Sequence, residues 1–140
     1  EKTKTKLLDK GDLVMVLNDK TITGDIIGST ILIPENDLYI YNQRSERLIC
    51  KKSIIYPVYA WFQLNHQEFR KTIFSVSQGG TQIYVNFSEI KKLTVKIPTI
   101  KEQQKIANYL SAIDTKITTI QTQIVKTQAF KKGLLQQMFV

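Results

Sequence analysis

The chain has 140 residues, enough for one compact domain or for a small domain with an appendage. It carries 20 Lys and Arg against 12 Asp and Glu, a formal charge of +8 that favours an acidic partner, and its 42% hydrophobic content is that of a core-forming chain rather than a disordered one. One histidine (His66) and one cysteine (Cys50) exclude an internal disulfide, leave too few soft ligands for a zinc site, and force any His-based triad through His66.

Asp12 to Leu17 (DLVMVL) follows a Lys10-Gly11 turn signal and reads as a buried strand. Ile26 to Ile33 gives one or two short strands around Gly28-Ser29, after a turn at Thr23-Gly24-Asp25. Tyr39 to Tyr41 and Arg47 to Cys50 are further short strands. Ile55 to Asn65 (IYPVYAWFQLN) suits a buried helix with Pro57 in its first turn, where a missing N–H is tolerated. Asn65-His66-Gln67-Glu68 has capping-box spacing and opens a second short helix over Gln67 to Ser75. Ser77 to Thr81, with two consecutive glycines, is a loop. Asn86-Phe87-Ser88-Glu89 is another capping box opening a short turn, and a strand follows at Leu93 to Ile97. Residues 1–98 thus form an α+β region of short elements, holding all three prolines and five of the six glycines.

From Pro98 the texture changes. Thr99 to Glu102 is a third capping box, and a 4-3 pattern then runs through Ile106, Leu110, Ile113, Ile117, Ile120, Ile124, Thr127, Lys131, Leu134 and Met138. Eight of these ten positions are apolar, which makes a heptad seam; near Thr127 and Lys131, Phe130 and Leu135 take over through a stutter. At about 1.5 Å per residue, residues 102–139 make a rod of roughly 57 Å, too long to bury its stripe on the preceding region, so the stripe requires another helix. The boundary expected from this change of texture divides the chain into residues 1–98 and 99–140.

The candidate chemistry is sparse. His66 reads as a polar residue at a helix start and Cys50 as a small core residue at the end of a strand. No spacing of carboxylates suggests general acid–base work, and the Gln78 to Gln82 loop lacks a Walker lysine and the G-x-G-x-x-G spacing. No metal and no cofactor are expected. Lys20, Arg44, Arg47, Lys51, Lys52, Arg70 and Lys71 lie near turns and element ends, where Gln43, Gln78, Thr81 and Gln82 add neutral donors and acceptors suited to phosphates and base edges. An ordinary solvated basic surface fits the same residues, and charge alone does not tell DNA from RNA or from an acidic protein.

The run IPTIKEQQKIANYLSAIDTKI, followed by FKKGLLQQMF, resembles the helical conserved region of the specificity subunits of type I restriction-modification enzymes. The matching positions are Pro98, Glu102-Gln103, Ile106-Ala107, Leu110, Ile113-Asp114 and Lys131 to Phe139. Upstream, KGDLVMVLNDK, YNQRSERL and the SQGGTQ loop before NFSEIKKLTVKIP resemble the closing part of a target-recognition domain.

The resemblance implies a non-catalytic, cytoplasmic DNA-recognition subunit. In that family two recognition domains, each followed by a helical region, read a bipartite site in double-stranded DNA. The helical regions pack antiparallel as a spacer, two modification (methyltransferase) subunits dock on the assembly, and restriction subunits join it. The expected fold is a partial, sheet-containing recognition domain followed by a long coiled-coil helix. The stretch usually found upstream of the KGDLV-like strand is absent here, so the chain is expected to be the C-terminal part of a longer subunit or a half-subunit. On this reading Gln43, Arg44, Gln78, Thr81 and Gln82, with Gly79 and Gly80 shaping the loop, contact bases or phosphates, and Lys20, Arg70 and Lys71 anchor the DNA backbone. Ile106, Leu110, Ile113, Ile117, Ile120, Ile124, Leu134 and Met138 pair helices, giving a homodimer when the chain is isolated. The alternative is a coiled-coil interaction adaptor that does not touch DNA. No secretory signal and no membrane span are expected.

Overall fold

The computed structural model describes residues 6–139, and the boundary between two compact units falls between Gln104 and Lys105. The first unit contains β1 (Leu13–Val16), β2 (Asn18–Asp19), β3 (Thr30–Leu32), β4 (Ser45–Leu48), α1 (Pro57–Asn65), α2 (Gln67–Ser75), β5 (Ile83–Tyr84) and α3 (Phe87–Ile90). The long helix α4 (Ile100–Met138) begins in it and runs through the second unit. The class is α+β, in agreement with the sequence.

β1 is the central strand of a sheet ordered β3-β1-β4, antiparallel to both neighbours, with Leu13 opposite Leu32 on one side and Leu48 on the other. Successive side chains of a strand point to opposite faces, so Leu13 and Met15 are buried while Val14 and Val16 are only half-buried. Met15 joins Ile27, Ile73, Ile83, Val85 and Ile90 in the core, against which Leu48, Leu64, Phe69 and Phe87 pack. Gly28 has φ +72 and lies so close to α2 that a Cβ there would sit 2.9 Å from Ile73, which is why the turn before β3 carries glycine.

α1 starts at Pro57, and His66, in extended conformation, separates it from α2. The Asn65 amide is turned onto the outer edge of β3. Its oxygen accepts from Thr30 N–H (2.9 Å) and its nitrogen donates to Thr30 O (2.8 Å), where Trp61 Nε1 also donates (2.9 Å). The edge of the sheet is thereby covered at Thr30.

Several local expectations need correction. Of the three capping boxes, only Thr99–Glu102 forms as spaced: Glu102 Oε2 accepts from Thr99 N–H (3.0 Å) and Oγ1 (2.6 Å), and Thr99 Oγ1 accepts from Glu102 N–H (3.4 Å). Asn65 is diverted to Thr30, and His66 caps α2 instead, its Nδ1 accepting from Glu68 N–H (3.4 Å). Asn86 precedes α3 without a side-chain cap bond. The stretch from Ile26 to Ile33 is a strand only from Thr30, and Tyr39 to Tyr41 makes a single bridge, Ile40 to Leu7. Leu93 to Ile97 is not a strand: Leu93 and Val95 are half-buried and Thr94 and Lys96 exposed, so the alternation reports burial without a pairing partner.

In the second unit Ala107 is buried, but the large apolar residues of the α4 stripe lie on the surface: Ile106, Ile113, Ile117, Ile120, Ile124, Leu134 and Met138 are exposed, and Leu110 is half-buried. Thr115, Thr118, Thr119, Thr122 and Thr127 each donate to the carbonyl four residues back, so their hydroxyls are satisfied within the helix.

Candidate nucleic-acid interface

Three segments remote in sequence meet at one groove. β2 pairs with β5, putting Asn18 opposite Tyr84. Gln78 bridges back to Tyr84 through two backbone hydrogen bonds, Gln78 N–H to Tyr84 O (2.7 Å) and Tyr84 N–H to Gln78 O (2.8 Å). Leu17 ties both neighbours together: its N–H donates to Arg44 O (2.8 Å) and its O accepts from Val85 N–H (2.9 Å). The turn carrying Gln43 and Arg44 is held by Asn42, whose Oδ1 accepts from Arg44 N–H (2.9 Å), and by Ser45, whose hydroxyl donates to Asn42 O (3.2 Å). Asn18, Gln43, Arg44, Tyr84, Asn86 and Phe87 line the groove, and Lys91 Nζ lies 4.9 Å from the centre of the Phe87 ring.

The three arginines have different employments. Arg47 bridges Asp9 (2.7 Å) and Asp12 (2.6 Å) and donates to Leu7 O (3.0 Å). Burial works against its charge, but the hydrogen bonds to Asp9 and Asp12 outweigh it and raise its pKa. Arg70 donates to Ile27 O from Nε (3.3 Å) and Nη2 (3.2 Å), and from Nη2 to Asp25 O, so its donors hold the turn before β3. Arg44 is exposed, and its guanidinium has no partner among the described residues.

The expected contact residues therefore fall into two places. Gln43 and Arg44 are brought together in the groove beside Tyr84, and Gln78 is bonded to Tyr84 at the start of the loop on which Gly79, Gly80, Thr81 and Gln82 are exposed. Gly79 has φ +119, and a Cβ on it would come within 1.9 Å of Gln82 O, so the loop has a shape only glycine permits. Arg70 and Lys71 border a second groove with Thr23, Gly24 and Asp25, and Lys71 pairs with Glu68 at 2.8 Å. Exposed Lys20 belongs to the turn after β2, which the Asp19 carboxylate organises by accepting from Ile26 N–H (2.8 Å), Thr21 N–H (2.9 Å) and Thr21 Oγ1 (2.8 Å). These bonds, that from Ile26 foremost, hold the Asp19 carboxyl below its usual range.

Asn18, Tyr84 and Asn86 were not among the residues expected at this site. β2 and β5 are two residues each, too short to leave a periodic signal, and only their pairing brings Asn18 to Tyr84.

The comparisons with known proteins place the chain in a family. Residues 1–127 match the model of the type I restriction modification DNA specificity domain. The chain belongs to that family. Among curated proteins, this specificity-domain chain is 31% identical over 133 residues to a putative type I restriction enzyme MjaX specificity subunit of Methanocaldococcus jannaschii, an alignment covering 86% of this chain and 31% of the relative. It is 28% identical over 130 residues to the type I restriction enzyme MjaVIII specificity subunit of the same organism, covering 92% of this chain and 30% of the relative. The chain thus spans about a third of the length of these relatives. The crystal structure of a type I restriction-modification system S subunit from M. genitalium shares the fold, with TM-score 0.71 at 18% identity over 96% of this chain and 34% of that one.

In this specificity domain the start of α4 is an anchor. Gln103 is fully buried, its oxygen accepting from Tyr56 N–H (2.8 Å) and its nitrogen donating to Ile54 O (3.1 Å) and Pro98 O (2.8 Å). The Pro98-to-Gln103 motif is therefore a hydrogen-bonded joint to the segment that enters α1. Among the described residues no group of His, Cys, Asp and Glu could hold a metal ion, and no helix is long and apolar enough to cross a membrane.

Proposed function

We propose that this chain reads one half of a bipartite DNA site as part of a type I specificity subunit, docks modification (methyltransferase) subunits, and performs no chemistry itself. The observation that carries the reading is Arg44: a cation without a protein partner among the described residues, beside Gln43, Asn18 and Tyr84, in a chain of the specificity-domain family. Arginine's fork suits guanine O6/N7 or phosphate, and the amides of Gln43 and Gln78 suit base edges. Lys20 and Lys71 supply charge for the DNA backbone. Arg70 contributes charge there while its donors hold the turn at Asp25 and Ile27. A non-catalytic role is supported by His66, whose Nδ1 is engaged in capping α2, and by Cys50, whose thiol burial pushes up, the opposite of what a nucleophile needs.

The helix is the spacer and docking post of this reading. Its 39 residues span about 58 Å, enough to separate modules on half-sites about one DNA turn, roughly 34 Å, apart. The exposed stripe from Ile106 to Met138 pairs with a second helical region, or in the isolated chain with that of a second copy. Restriction subunits join the complete complex. The same stripe would serve an adaptor without DNA contact, but such a protein has no use for an unpaired Arg44 among amides. Co-expression with an adenine methyltransferase subunit of such a system, followed by methylome sequencing, tests the proposal. Methylation at a bipartite motif, with one half altered by Arg44→Ala, supports it, and co-purification without sequence-specific methylation refutes it in favour of the adaptor.

A further inference from the structure

We propose that Lys91 is a phosphate contact of this groove, held over the Phe87 ring and distinguished from its neighbours by keeping its charge. The inference rests on the DNA-reading proposal above and deepens it by naming the cation that grips the duplex backbone beside Arg44. Lys91 follows α3, whose last residue, Ile90, is buried in the core. Its N–H donates to Phe87 O (3.1 Å), which closes the turn. The Phe87 ring packs against the same core and also lines the groove, and the Lys91 ammonium lies 4.9 Å from its centre.

The charges nearby are differently disposed. Lys92 pairs with Glu89 at 2.7 Å and Lys71 with Glu68 at 2.8 Å, so a carboxylate offsets each of them. Lys91 is exposed and has no carboxylate partner among the described residues. The face of an aromatic ring attracts an ammonium without cancelling its unit charge, so Lys91 is both held and fully cationic. A lysine already held also loses less rotamer freedom on binding than a free one. Leu17 sets the width of the groove, with Arg44 bonded to its N–H and Val85 to its O. At the usual spacing of about 4.8 Å between hydrogen-bonded extended segments, Arg44 and Val85 lie roughly 10 Å apart. Arg44 and the Phe87–Lys91 pair therefore belong to opposite walls, and the groove lining between them holds no carboxylate among the described residues. A phosphate oxygen accepts from an ammonium whatever the base, so Lys91 positions the duplex while Arg44 and the amides face its sequence.

The test is the salt dependence of duplex binding by the 140-residue chain, on duplexes selected from a randomised library and on scrambled ones. Lys91→Met removes the ammonium and keeps an apolar stem on Phe87, while Lys92→Met removes the same net charge one residue away. Lys91→Met should lower the slope of log affinity against log salt by about 0.9, the share of one phosphate. It should weaken selected and scrambled duplexes by the same factor and leave the selected motif unchanged. Lys92→Met and Lys91→Arg should keep a slope near that of wild type, and all three variants should unfold as wild type does. An unchanged slope in Lys91→Met, an equal loss in Lys91→Met and Lys92→Met, or the loss of a motif column in Lys91→Met overturns the phosphate contact and leaves DNA reading standing. Wild-type binding that enriches no motif overturns DNA reading, and the difference between the two methionine variants still decides the contact. Failure of the wild type to bind duplex DNA overturns both.

Discussion

Gln103 is the side chain on which the start of α4 depends, and its replacement gives a sharp energetic test. It is fully buried and makes three hydrogen bonds, to Tyr56 N–H, Ile54 O and Pro98 O. A net hydrogen bond contributes about 1 kcal/mol, and a buried group left unpaired costs about 1–3 kcal/mol. Gln103→Ala removes all three bonds and strands an N–H and two carbonyls, so we expect a loss of about 3 kcal/mol. Gln103→Leu, which keeps most of the volume, should lose nearly as much, because the partners rather than the packing are at stake. Gln103→Glu is the diagnostic variant. One carboxylate oxygen still accepts from Tyr56, but the other faces two carbonyls and must be protonated to donate. Burial and these acceptors favour the neutral acid, so the folded-state pKa lies above the unfolded value of about 4.3. The contribution of Glu at this position is then fully present below the unfolded pKa and lost as pH rises through the folded one. Urea unfolding followed by the fluorescence of Trp61, the one tryptophan, reports on the first unit without the signal of the long helix. A Gln103→Ala cost below about 0.5 kcal/mol, or a pH-independent Gln103→Glu, would refute the reasoning.

Three further outcomes follow. Gly79→Ala should disrupt the Gln78–Tyr84 loop at a cost of about 1–3 kcal/mol and abolish sequence preference, because φ +119 and a 1.9 Å approach to Gln82 O exclude a Cβ; crystallography or NMR of the variant would reveal an unchanged loop if this is wrong. The Cys50 thiol, its pKa raised first by burial and then by Asp12, should react with a thiol reagent at neutral pH more slowly than free cysteine, with the rate still climbing above pH 9; a fast reaction near pH 7 would contradict this. Ile117→Gln with Ile120→Gln should weaken self-association at least about a hundredfold, since burying such a side chain contributes about 1.5–3 kcal/mol, and sedimentation equilibrium would expose the error if the wild type is already a monomer at micromolar concentration.

Features written in local chemistry were legible in the sequence. Pro57 opens α1, α2 runs over Gln67–Ser75 as its pattern indicates, and the heptads from Ile106 lie on one continuous helix. What escaped depends on partners far along the chain. Capping spacing is satisfied by Asn65 as well as by Thr99, yet only the fold decides that Asn65 spends its amide on Thr30, 35 residues away. The same holds for the site. Arg44, Arg47 and Arg70 are equivalent as letters, and they differ because Asp9 and Asp12 claim one, the carbonyls of Asp25 and Ile27 claim another, and no described residue claims the third. Tyr84 was invisible for a related reason, since a two-residue strand has no period.

The central claim is that this groove reads DNA, and the most direct measurement is the affinity of the chain for its selected duplex relative to a scrambled one, at fixed salt, for wild type and Arg44→Ala. The wild type should prefer the selected duplex strongly, and Arg44→Ala should cut that preference by about 1–3 kcal/mol with unfolding unchanged. Equal affinity of the wild type for both duplexes, or a preference that survives the loss of Arg44, would contradict it.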